Sequence, residues 1–280
     1  CTEAMTHCRN ATLAELEVVL GWAAEEGWNP GLRDAEAFYA TDPEGFFVAV
    51  DEADQPIASI SVVNHTPDFA FLGLYIVKPE FRGHGIGLSL WTQALKHAGN
   101  RTIGLDGVEA QQANYRVSGF VAAGGTTRFI GGLAGERQAN IREAMPDDLL
   151  RLIEMERNAS GVVKPDYLAN WFSTSRDRRT IILETSQQID GFATIRACRS
   201  GAKIGPIVAT DVETASKLIA HTATLFEGPL TIDVPDAAKG MRNLCQHLAF
   251  EAGFRTSRMY RGEPPNSWAS VFAVASLELG

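Results

Sequence analysis

Cysteine is scarce in this chain. Cys1, Cys8, Cys198 and Cys245 show neither metal-ligand spacing nor a disulfide framework. That excludes a small stapled secreted fold and suits a reducing, cytoplasmic setting. Long apolar runs are missing too, so no transmembrane segment is expected, and no signal-peptide pattern opens the sequence. Positive charge is in deficit. Twenty-five Lys and Arg against 34 Asp and Glu leave a formal net charge of −9, which argues against a nucleic-acid or anionic-membrane partner. A small molecule is the expected partner, with a monomer or homodimer as the assembly. The 280 residues, 45% of them hydrophobic, suffice for two domains or one large one.

Glycine, by contrast, is concentrated where it carries meaning. Leu74-Tyr75-Ile76-Val77-Lys78-Pro79-Glu80-Phe81-Arg82-Gly83-His84-Gly85-Ile86-Gly87-Leu88 reads as a strand, a proline turn and a glycine-rich loop opening into a helix. A helix start presents unpaired N–H groups and the positive end of the macrodipole. Gly83, Gly85 and Gly87 lack a Cβ, so a bulky anion can lie against those donors, and Arg82 adds a charge beside them. The loop therefore reads as a diphosphate cradle. A dinucleotide fingerprint would need glycine where Leu88 stands, and no Gly-Lys-Ser/Thr triplet follows to make a P-loop.

The remaining pattern, Arg-x-x-Gly-x-Gly over residues 82–87 behind the apolar strand Phe69–Val77, resembles the acyl-coenzyme A motif of the GNAT superfamily of N-acetyltransferases. The resemblance implies an α+β fold, a mostly antiparallel mixed sheet flanked by helices. It also implies acetyl-CoA as co-substrate, no metal, and Ile76, Val77, Arg82, Gly83, His84, Gly85, Ile86, Gly87 and Leu88 as coenzyme-binding residues. In the family, a backbone N–H around Ile76 or Val77 stabilises the oxyanion. His84 sits in the cradle as a phosphate-side or surface residue, and His65 reads as a loop histidine.

The chain also repeats itself. Cys8–Leu16 and Ile141–Leu149 both read as a short strand entering a helix, at an offset of 133 residues. Ser118-Gly119-Phe120 and Ala252-Gly253-Phe254 match as helix exits at an offset of 134, which pairs Tyr115 with Ala249. Two tandem GNAT-like domains are expected, 1–134 and 135–280. The second has Thr210-Asp211-Val212-Glu213-Thr214-Ala215 in place of the phosphate loop, where two carboxylates would repel a diphosphate. It is expected to be degenerate, either packing against the first half or walling the substrate site.

Tyr115-Arg116-Val117-Ser118-Gly119-Phe120 is similar to the family's Tyr-x-x-x-Gly-Phe, which makes Tyr115 the candidate acid for the leaving thiolate. The motif strand carries no carboxylate, so Asp106, at the end of an apolar strand, is the candidate base, with Glu109 and Asp34 as lesser ones and a water relay without a dedicated base as the alternative. Trp28, Asn29, Asp34 and Asp233 are the candidate substrate-binding residues. Carboxylates converging from Asp34, Asp106, Glu109 and Asp233 would favour a cationic primary amine. The expected function is transfer of an acetyl group from acetyl-CoA to a primary amine of a small molecule by direct attack in a ternary complex. A non-catalytic acyl-CoA-binding sensor is the alternative.

Overall fold

The structure, a computed structural model, describes residues 7–266 and 271–280; Cys1 lies outside them. The first half runs β1 (His7–Asn10), α1 (Leu13–Glu25), α2 (Asp34–Thr41), β2 (Phe46–Val50), β3 (Pro56–Asn64), β4 (Phe69–Val77), α3 (Ile86–Ala98), β5 (Thr102–Val108), α4 (Gln112–Val117) and β6 (Val121–Gly131). The second repeats the order. It comprises β7 (Ile141–Glu143), α5 (Leu149–Ser160), α6 (Pro165–Trp171), β8 (Arg178–Thr185), β9 (Gln188–Ala197), β10 (Ala202–Ala209), α7 (Val212–Thr222), β11 (Leu230–Pro235), α8 (Lys239–His247), β12 (Glu251–Arg261) and a short β13 (Val271–Ala273).

The repeat begins with the same local device in both halves. Thr12 caps α1, and Glu15 in return accepts the Thr12 N–H while Arg9 forks onto its carboxylate at 2.7 and 2.9 Å. At an offset of 133, Asp148 accepts from the Met145 N–H while Arg142 forks onto it at 2.7 and 3.0 Å. Each device fixes how a strand edge enters its first helix.

All strands of the described residues join one mixed sheet, ordered β1-β2-β3-β4-β5-β12-β6-β11-β10-β9-β8-β7, with β13 beside β10. The halves exchange their last long strands: β12 lies between β5 and β6, and β6 pairs with β11. Two buried ion pairs clamp the exchange. Arg258 on β12 forks onto Asp106 on β5 at 2.7 and 2.6 Å. Arg128 on β6 forks onto Asp233 on β11 at 2.7 and 2.9 Å. Cores lie on both faces of the sheet. On one face lie Leu90, Trp91, Ala94, Leu105 and Phe120 under α3 and Ala215, Leu218, Ile232 and Phe250 under α7; on the other, Leu16, Phe38, Trp171 and Phe192 pack among α1, α2 and α6. Each large apolar side chain so buried contributes about 1.5–3 kcal/mol.

The helix exits show that the second-half match belongs four residues earlier than its Gly-Phe pair suggests. Phe120 N–H bonds to the Tyr115 carbonyl, and Phe250 N–H bonds to that of Cys245. Gly119 (φ +88°) therefore corresponds to Ala249 (φ +58°), and Tyr115 to Cys245, whereas Gly253-Phe254 lies inside β12 at a register shift.

Candidate active site

The parallel pair β4–β5 stays in register from Phe69↔Thr102 to Leu72↔Leu105 and then parts. Beyond Gly73, β4 carries one extra residue against β3, since Ser59↔Ile76 is followed by Ser61↔Gly73. Leu74 takes a left-handed φ of +48° there, and Ser59 Oγ donates to its carbonyl at 2.7 Å, holding the bulge. Strand alternation then decides which amide faces the gap. Lys78 N–H donates to Ile57 on β3, so Ile76 N–H points toward β3 and Val77 N–H toward the open side. The Val77 carbonyl on that side is held by Arg82 Nε at 2.8 Å. Of the two oxyanion donors considered, Val77 alone has the required direction.

The gap widens into a cleft of about 480 Å³ lined by Arg82, Gly83, Gly85, Ile86, Gly87 and Leu88 on the loop side and by Trp28, Ile76, Val77, Gln111 and Asn114 across it. Gly85 caps α3 with φ +77° and no side-chain hydrogen bond. The first helical bond of α3 is Ser89 N–H to the Gly85 carbonyl, so the amides before it point out of the helix end. A Cβ on Gly83 or Gly85 would meet open space, which is the cleft itself, while one on Gly87 would strike the Tyr75 hydroxyl at 2.6 Å. Arg82 is already engaged by Glu26 at 2.8 Å, a carboxylate at the mouth of an anion site. His84 is exposed, with Nδ1 turned back to the Phe81 carbonyl at 3.3 Å, and does not line the cleft.

Behind the cleft, and sharing Trp28, Tyr75, Val108, Gln111 and the bulged strand with it, lies a narrow chamber of about 50 Å³. Tyr115 stands in its wall, 6% exposed, its ring stacked on Trp91 at 5.6 Å and 20°. Burial raises its pKa, so the phenol stays protonated over the working pH range and can only donate. β12 and the segment after β13 supply the other wall through Phe254, Thr256, Leu277 and Glu278. The second half thus walls the site.

The carboxylates are not arranged as expected for a cation-attracting site. Asp106 borders the chamber, but its side chain is fully buried and forked by Arg258. Burial raises its pKa against the lowering effect of Arg258. Asp233 is neutralised by Arg128, and Asp34 by Arg178 at 2.8 Å and Arg196 at 3.0 Å; neither lines the cleft or the chamber. Glu109 lines a separate polar hollow with Gln112, Arg255 and Ser257. A carboxylate paired with a guanidinium presents little net field, so the expectation of a cationic acceptor loses its basis. Trp28 does line the site, and its carbonyl is gripped by Arg128 at 2.7 Å and Lys203 at 3.0 Å. Asn29 instead bridges to Ser200, donating to its carbonyl and accepting its N–H. No group of His, Cys, Asp and Glu among the described residues could hold a metal ion.

Sequence reasoning passed over Glu278. It is a single carboxylate in the apolar run Val271–Leu279, and that isolation was the available signal. His65, read as a loop histidine, is buried with Nε2 donating to the Leu279 carbonyl at 2.8 Å. Burial holds its pKa down at about 3, so it remains a neutral anchor.

In the second half the matching helix start is closed. Asp211 caps α7 and accepts the Thr214 N–H at 2.7 Å, which fills the place where an anion would bind.

The acetyltransferase (GNAT) family pattern matches residues 13–120, and an acetyltransferase (GNAT) domain pattern matches 152–273. The chain is 35% identical over 275 residues to holothin acyltransferase of Pseudoalteromonas sp. (strain SANK 73390), covering 96% of this chain and 93% of that protein. The chain belongs to the GNAT acetyltransferase family. Its fold is that of other two-domain members. A Pyrococcus horikoshii protein named as an acetyltransferase superposes with a TM-score of 0.82 at 20% identity, covering 98% and 96% of the two chains. A tandem GNAT protein from the clavulanic acid biosynthesis pathway gives 0.63 at 16% identity, covering 91% and 98%. The tandem GNAT architecture read from the loop and the repeat holds, with acyl transfer as the chemistry of the family and of the Pseudoalteromonas relative.

Proposed function

We propose that this GNAT protein transfers the acetyl group of acetyl-CoA to the primary amine of a small, largely apolar molecule, by direct attack in a ternary complex. One observation carries the reading: an open, glycine-walled helix start leads through the β4–β5 gap to a chamber holding a protonated tyrosine. Bound there, acetyl-CoA supplies a thioester activated toward amines. The amides opening α3 and Arg82 would hold its diphosphate, and the bulged edge of β4 would hold the arm that leads to the sulfur. Val77 N–H would receive the negative charge that develops on the carbonyl oxygen, and Tyr115 would give a proton to the leaving sulfur. Trp28, Leu74, Phe254 and Leu277 make the acceptor side apolar, which suits a neutral amine better than a polycation. None of the described cysteines lines the cleft or the chamber, which favours direct attack over a covalent enzyme intermediate.

Holothin, the acceptor in the name of the Pseudoalteromonas relative, heads the test panel, followed by aniline, benzylamine and the cationic spermidine. Release of free thiol from acetyl-CoA identifies the acceptor. Turnover with apolar amines and little salt dependence is the expected result. A strong preference for spermidine would overturn the acceptor assignment. Coenzyme binding with no transfer to any amine would favour the acyl-CoA sensor instead.

A further inference from the structure

The motif strand has no carboxylate and Asp106 is spoken for, so the base that would deprotonate the amine has to come from elsewhere. Among the buried carboxylates of the described residues, four have partners: Asp34, Asp106 and Asp233 are held by arginines, and Glu156 by Lys164 at 3.0 Å and Ser160 at 3.2 Å. Glu278 is different. It is 4% exposed, faces the chamber that Tyr115 also lines, and accepts no hydrogen bond from any described residue. A buried carboxylate without donors is costly. It persists only where the surrounding structure holds it or where its free lone pairs have a use.

The structure does hold it. Segment 271–280 is tied down on both sides of Glu278. Ser276 Oγ accepts the Leu279 N–H at 3.1 Å and is bonded to the Tyr167 hydroxyl at 2.9 Å. His65 holds the Leu279 carbonyl, and Lys164 Nζ donates to the Gly280 carbonyl at 2.6 Å. The Glu278 carbonyl lies so close to Gly73, at the start of the bulge, that any Cβ there would overlap it. The backbone carrying this carboxylate is thus locked against the bulged strand whose Val77 amide faces the open side.

We infer that Glu278, delivered by the second half, is the general base that takes the amine proton. The inference rests on the proposed acyl transfer and names the group that reading leaves open. As the amine nitrogen bonds to the thioester carbon, its proton passes to the Glu278 carboxylate. The carbon–sulfur bond breaks, and the departing thiolate takes the proton of Tyr115. Loss of the Glu278 proton and reprotonation of Tyr115, both through solvent, restore the starting state, so one amide and one thiol form per cycle. The charged groups acting on Glu278 are Lys203 on β10, Arg196 on β9, Arg128 on β6 and Asp34 on α2; its own charge acts on Tyr167 of α6. Desolvation outweighs the lowering by the three cations and moves its pKa upward, toward the range where a base works best.

The test uses the full chain and whichever of holothin, aniline and benzylamine turns over fastest with acetyl-CoA. Glu278→Gln keeps the shape and removes the base. Its kcat should fall about 100-fold or more, with coenzyme A affinity by calorimetry and acceptor KM changed less than about threefold, and the acid limb of the pH–rate profile should vanish. Lys203→Met removes a neighbouring cation, so the acid limb of that variant should move to higher pH, whatever the loss of its grip on the Trp28 carbonyl does to the plateau rate. A Glu278→Gln enzyme that retains the wild-type rate and acid limb overturns the assignment, as does a Lys203→Met limb that stays in place. If Glu278→Gln no longer binds coenzyme A, its fold is lost and Lys203→Met decides. A wild type that binds coenzyme A but acylates no amine overturns the proposed function itself.

Discussion

β4 and β10 occupy equivalent places in the two halves, and their contrast explains why one half keeps a cofactor site. Each carries an extra residue beside a glycine, Gly73 or Gly205, and each leaves its parallel neighbour after a few residues: β4 leaves β5 beyond Leu72, and β10 leaves β11 beyond Ile204. In the second half the resulting gap is filled. β13 pairs with Ile207 and Val208, Val274 N–H donates to the Asp233 carbonyl at 3.0 Å, and the Val274 carbonyl abuts Gly205. In the first half the gap opens to the cleft, and the same segment reaches only its floor, at Glu278. The helices repeat the contrast. α3 starts on a glycine, with no side chain among the described residues capping its amides, whereas α7 starts on Asp211, which takes one of them. The lost site is thus stoppered twice by the chain itself, once by backbone and once by a side chain.

The largest way to break the contrast is to stopper the first half as well. Gly85→Trp puts a bulky side chain at φ +77° in the cradle and should weaken acetyl-CoA binding by about 100-fold, roughly 2.7 kcal/mol, with the thermal midpoint shifted by only a few degrees. Unchanged affinity by calorimetric titration would remove the cradle assignment. Tyr115→Phe tests the other difference, a phenol in one half and the Cys245 thiol in the other. Its kcat should fall by about 10–100-fold with coenzyme affinity unaltered, since proton donation alone is lost. An undiminished rate would leave Tyr115 as packing against Trp91.

The next two changes act on the closed half. Asp211→Ala removes the α7 cap and should cost about 1 kcal/mol of unfolding free energy at neutral pH. It should not create a second coenzyme site, because β13 still fills the gap; a binding stoichiometry rising from one to two would refute the double stopper. The Thr214 N–H lowers the Asp211 pKa, so the cap's contribution is present above the ordinary carboxylate pKa and is lost as pH falls through the lowered value. The mutant and wild type should therefore converge in stability under acid. The smallest effect is expected at the helix exit, where Ala249 holds the left-handed φ that Gly119 holds in the first half. Ala249→Gly should stabilise the protein by about 0.5–1 kcal/mol in chemical denaturation, and Gly119→Ala should destabilise it by a similar amount.

Features with a local physical cause were legible in the residues alone. Alternate glycines behind an apolar strand forecast the open helix start, because backbone amides and the missing Cβ act at short range. The strand-into-helix repeat of Cys8–Leu16 at Ile141–Leu149 set out two similar halves, and the apolar run Phe69–Val77 marked the motif strand. What tertiary structure decided was the partnership of groups far apart in the chain. Asp106, Asp233 and Asp34 were expected to converge on the acceptor because nothing near them in sequence announces Arg258, Arg128, Arg178 or Arg196. Those arginines arrive only through the strand exchange and the packing of α2 on the second half. Glu278 and the bulge at Leu74 lie on opposite halves, and they meet because segment 271–280 threads both gaps of one sheet. A carboxylate's role depends on its desolvation and on the donors around it, and both are properties of the assembled fold.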